Sequence, residues 1–154
     1  MKSNRLAQFA LVLWLASAAV FAWFFVRGNT AAGNDGRTAV VLQASERDLI
    51  LSEMRGLLVA TQGILEGANN GDMQRISKAA RAAGMSGAAD VNPVLMAKLP
   101  LELKKLGMSV HQDMDDIANA AESSHPSAEI LQMASNVLTK CVACHATWQI
   151  KSAN

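Results

Sequence analysis

The chain has 154 residues, of which 51% are hydrophobic, 18% charged and 5% aromatic, with a formal net charge of +1. That length allows one small domain plus an appendage. The near-neutral charge argues against a nucleic-acid binder, and two cysteines cannot make a multi-disulfide scaffold. Tyr is absent, Pro occurs three times and Ala is abundant, which favours helix over an all-β sandwich.

The first element is the apolar run Leu6 to Val26, broken only by Gln8 and Ser17. It is long enough for a membrane-spanning helix, which needs roughly 20 residues. Lys2 and Arg5 precede it, so the positive-inside rule puts the N-terminus in the cytoplasm and exports the rest. The alternative is a cleavable signal peptide with Ala16-Ser17-Ala18 as its cleavage site. Both deliver the domain to the same compartment. The expectation is a single-pass helix in the inner (cytoplasmic) membrane, touching lipid through residues 6–26, with the domain in the periplasm. Residues 1–27 form the anchor. Residues 28–38, which overlap the Gly/Asn-rich stretch Arg27 to Arg37, read as a flexible tether, and residues 39–151 as the domain.

The domain reads as four helices. The first runs from about Thr38 or Ser45 to Glu66, with a seam of Leu51, Met54, Leu58, Thr61 and Leu65 and a capping box over Ser45 to Asp48. Gly67 and Asn69-Asn70-Gly71 end it. The second runs from Asp72, its N-cap, to Ala83, with Met73, Ile76 and Ala80 as its stripe and Gly84 closing it. Met85 to Lys98, with Gly87, Asp90 and Asn92-Pro93, reads as a loop. The third runs from Pro100 to Glu122, its face marked by Leu103, Leu106, Val110, Met114, Ile117 and Ala121. The fourth starts near Ser124 or His125. It carries the stripe Ile130, Ala134, Val137, Cys141, Cys144 and Trp148. No segment sustains a period of two. Short connections give an all-α four-helix bundle after one N-terminal transmembrane helix.

Cys141-Val-Ala-Cys144-His145 is the attachment signature for c-type haem. Thiols one helical turn apart can bond to the two vinyl groups of a single haem, and the adjacent imidazole can bind its iron. Two other readings compete. A thioredoxin-like site needs strands around the motif. A zinc site needs a fourth ligand, for which His111 and His125 are available. Haem c is attached outside the cytoplasm, so the exported topology and the motif support each other.

The motif's place on the last helix of a bundle resembles the cytochrome c′ family, including the low-spin cytochromes c556. The resemblance covers roughly residues 40 to 151. It implies one covalent haem c held by Cys141, Cys144 and His145. It also implies an Arg near the haem propionates, which Arg47 matches. Four residues on, Leu51 takes the position facing the distal side of the iron, while Met54, one turn later, becomes the ligand after a small shift along the helix. Trp148 stands where the family often has an aromatic. Gln149 stands where it often has a base. Dimers through the first two helices are common in the family, so a homodimer is implied as well.

The sixth ligand decides the function. Met54 gives a low-spin iron suited to electron transfer with redox partners at the membrane. Leu51 over the iron gives a five-coordinate site for NO or CO. Met108, Met114 and His111 are further ligand candidates. A Met on an apolar helical seam is otherwise core filler, and Lys104-Lys105 reads as a solvated face or a docking site for an acidic partner. No separate acid, base or nucleophile set suggests an enzyme.

Overall fold

Helical periodicity governs most of the chain in the computed structural model, which describes residues 2–87 and 92–153, the side chains of Lys2 and Ser3 aside. α1 (Lys2–Arg27) contains a 24-residue stretch, Asn4–Arg27, long and apolar enough to cross a membrane, and none of it is buried in protein. Its exposed Trp14, Phe21, Trp23 and Phe24 are apolar surface that lipid would cover.

The residues after α1 are not a free tether. β1 (Thr30–Ala32) pairs antiparallel with β2 (Thr38–Leu42), and β3 (Trp148–Ser152) pairs parallel with β2 on its other side. The turn between β1 and β2 is closed by Gly33 N–H donating to the Arg37 carbonyl at 2.8 Å and by an Arg37–Asp35 ion pair at 2.7 Å. Gly28 sits at φ 65°, against the backbone of Lys98 to Pro100, where any side chain would collide. Asn29 N–H donates to the Lys98 carbonyl at 2.7 Å. Backbone pairing, which composition does not encode, therefore holds most of the stretch expected to be flexible.

α2 (Ala44–Asn70) follows β2 directly. Its start matches the Ser45 expectation and not the Thr38 one. The cap lies two residues before Ser45: Gln43 N–H donates to the Glu46 carboxylate at 2.9 Å. The buried face is Ala60, Gly63, Ile64, Gly67 and Ala68. The expected seam was rotated, since Leu58 is 69% exposed and Leu65 44%. Small residues explain the difference. Gly63 and Gly67 lie close against Ala79 and Ile76, so the face of low bulk is the one that packs.

That partner is α3 (Met73–Ala82), capped as expected by the Asp72 carboxylate, which accepts from Arg75 N–H at 2.9 Å. The expected loop over 85–98 contains a helix, α4 (Pro93–Lys98). The Asn92 side chain caps it by accepting from Val94 N–H at 2.8 Å, and Pro93 fits its first turn. Asp90 of that expected loop lies outside the described residues. α5 (Leu101–Glu122) and α6 (Ser127–Thr147) bury the expected Val110, Met114, Ile117, Ala121, Ile130, Ala134 and Val137. α6 ends at Thr147, because Trp148 turns extended and enters the sheet; the stripe expected to reach Trp148 stops at Cys144.

Two cores result. The larger is shared by α2, α3, α5 and α6 and centres on Ile64, Ile76, Met114, Ile117 and Ile130. The smaller joins β2 to the short α4 segment through Val40, Leu42, Leu95 and Leu99, with Ile50, Leu103, Trp148 and Ile150 against it.

Candidate functional site

A cleft opens where the two cores meet. Its walls come from both: Leu57, Val110 and Cys141 on one side, Ile50, Met96, Leu99, Leu103 and Ile150 on the other. The lining is almost entirely apolar, and the two thiols and the imidazole of α6 share it: Cys141, Cys144 and His145. The seam of α6 sets this placement. Cys141 and Cys144 follow Val137 at helical spacing, so the helix turns both inward to half-buried positions, while His145, one residue on, stays exposed at the rim. Burial pushes both thiols up, and at Cys144 the neighbouring Cys141 adds to the effect. Both are therefore protonated thiols at neutral pH.

Met54 of α2 and His111 of α5 line the same cleft. So do Glu53, Met96, Met108, Lys104 and Lys140. Burial raises the Glu53 carboxyl, and His111 lowers it more weakly. Lys140 is paired with Asp113 at 2.6 Å. Lys104 has no carboxylate partner among the described residues: its Nζ donates to the Phe25 carbonyl at 3.2 Å and lies 3.9 Å from the centre of the Phe25 ring. Burial holds the Lys104 amine below its ordinary value.

Other expected site residues lie elsewhere. Arg47 forms an exposed ion pair with Asp48 at 3.1 Å and does not reach the cleft. Leu51 is half-buried but does not line it. Trp148 packs into the smaller core, and Ile150 of the same strand takes the lining position. Met114 is core filler, 1% exposed. His125 pairs with Glu129 at 3.1 Å near the start of α6. Lys104 is not the solvated residue that a two-lysine surface run suggests, because the end of α1 covers it. The signal for Glu53 is its place beside Met54 on the seam; none points to the burial of Lys104, which depends on a contact with α1.

The donor set matches haem c in kind. Two thiols one turn apart, an adjacent imidazole and an apolar lining are what a covalently held porphyrin requires. Among the described residues, no three His, Cys, Asp or Glu side chains are grouped to hold a bare metal ion. A haem brings its own four nitrogen ligands, so it needs no such group. The cleft's room is 160 Å³, below the roughly 300–1,000 Å³ of cofactor sites. Met54, Met96 and Met108 are part of the wall, and these flexible side chains can swing aside where β-branched ones could not.

No protein-family model, curated protein or solved structure matches this chain.

Proposed function

We propose that this chain is a membrane-anchored, monohaem c-type cytochrome with a four-helix domain of the cytochrome c′ kind, acting as an electron carrier at the periplasmic face of the inner membrane. One observation carries the reading: Cys141, Cys144 and His145 share an apolar cleft with Met54 and His111. Bound there, haem c would supply a one-electron iron couple. The chain's own residues supply the rest. Cys141 and Cys144 would fix the group's position, and His145 would offer its imidazole to the iron. The apolar walls exclude water, which keeps reorganisation small. Lys104 offers a positive charge where carboxylates must be held, the role expected of Arg47.

The anchor supports the same reading. The Lys104–Phe25 contact and the close seat of Gly28 hold the domain at the end of α1. Its reach is therefore short, which suits exchange with a redox protein in the same membrane. Gas binding at a five-coordinate iron is the alternative; Leu51, expected over the iron, does not line the cleft.

The test is an absorption spectrum of the full chain matured in a host with haem-ligation machinery. The account predicts a low-spin ferrous spectrum unchanged by CO. A high-spin spectrum that shifts with CO or NO contradicts electron carriage and supports gas binding.

A further inference from the structure

His111 is held as a ligand imidazole is held. Its Nδ1 lies 2.8 Å from the carbonyl oxygen of Ala83. A carbonyl only accepts, so Nδ1 carries the hydrogen, and in the neutral ring that leaves the lone pair on Nε2. No protein hydrogen bond engages Nε2 among the described residues. Metal-binding histidines usually donate their second ring N–H to a carbonyl or carboxylate in this way, which fixes both tautomer and ring orientation.

The carbonyl that clamps the ring is itself built in. Ala83 is 7% exposed and ends α3. Asp115, one turn after His111 on α5, brackets it from both sides. It accepts from Arg81 Nη1 at 3.1 Å and from Met85 N–H at 2.8 Å. Gly84 lies so close to the Asp115 carboxylate that a Cβ there would strike it. The bracket therefore requires glycine at 84. Met54 has no comparable restraint: it is a flexible thioether on a wall with two other methionines, Met96 and Met108.

We propose that His111, through Nε2, is the second axial ligand, giving a bis-histidine iron with His145. This rests on the haem c reading and assigns a residue that reading leaves open. The Nε2 lone pair of the neutral ring would form the bond. Glu53, on the same cleft, faces this imidazole from α2, and no ion pair joins the two.

The test uses the full-length holoprotein in detergent. Methionine ligation has two signatures: a far-red charge-transfer band in the ferric state and a strongly shifted methyl resonance in the ferrous state. The expected wild-type result is a low-spin iron with neither. His111→Leu is expected to lose the low-spin spectrum and gain CO binding, while Met54→Leu keeps it. A methionine signature in the wild type overturns the proposal, as does a low-spin His111→Leu protein. The wild-type spectra decide the question even where His111→Leu fails to fold. A colourless product without added porphyrin mass overturns both this proposal and the reading beneath it. Haem-bearing protein with methionine ligation overturns the proposal alone.

Discussion

The two ends of the domain pack by different means. At one end, Ala60, Gly63, Gly67 and Ala80 let α2 and α3 approach closely, and Ile64, Ile76, Met114 and Ile117 fill what remains. At the other, a small sheet and α4 close over the chain through Val40, Leu42, Leu95 and Leu99, leaving the cleft between the cores. The first end is complete in itself. The second has thiols, methionines and a lysine paired with no carboxylate among the described residues around open apolar space. A protein with one aromatic beyond residue 25 has little large side-chain mass to fill such a gap, and a porphyrin is large, flat and apolar.

Truncations measure that contrast. Ile117→Ala, at 0% exposure in the closed core, is expected to cost about 2–5 kcal/mol in denaturant unfolding. Met108→Ala, on the cleft wall and 39% exposed, is expected to cost about 1 kcal/mol. Equal losses would mean that the cleft is packed as tightly as the core.

Next in size is Asp115→Ala. It removes the acceptor of Arg81 and of Met85 N–H, and a loss of about 1–3 kcal/mol is expected. A neutral result by the same unfolding measurement would show that the turn at Ala83 is held by other contacts.

Glu53 tests the cleft by pH. Burial raises its carboxyl in the folded state. The folded protein therefore binds this proton more tightly than the unfolded one. The stabilisation is full below the unfolded value and is lost as pH rises through the raised folded value. Glu53→Gln should remove that loss, so variant and wild type diverge as pH rises through this window. Parallel stability–pH curves would place Glu53 in water.

The smallest effect separates the observed face of α2 from the expected one. Leu58→Ala should change stability by no more than about 0.5 kcal/mol, since the side chain faces outward. A core-sized loss in unfolding would restore the seam through Leu58.

These comparisons show where the sequence was readable. α3, α5 and α6 bury their bulky apolar residues, so their faces follow from spacing alone. α2 buries small residues and exposes Leu58, Val59 and Leu65, so the heavy side chains marked the wrong stripe. β2, Thr38-Ala-Val-Val-Leu42, is a short unbroken apolar run, which periodicity does not separate from helix. α4 was hidden because Asn92-Pro93 serves equally as a turn and as a helix start. Cys141, Cys144, His145 and Met54 were legible from motif and seam. Lys104 and the clamp on His111 were not, because each depends on a backbone carbonyl brought from a distant element.

The central claim is a covalent bond between the cleft thiols and a porphyrin. Intact-mass spectrometry of the full chain, matured with haem-ligation machinery and then treated with a thiol-alkylating reagent, tests it most directly. The account predicts coloured protein heavier by one haem, with Cys141 and Cys144 unalkylated. Colourless protein of unmodified backbone mass, carrying two alkyl groups on those residues, would contradict it.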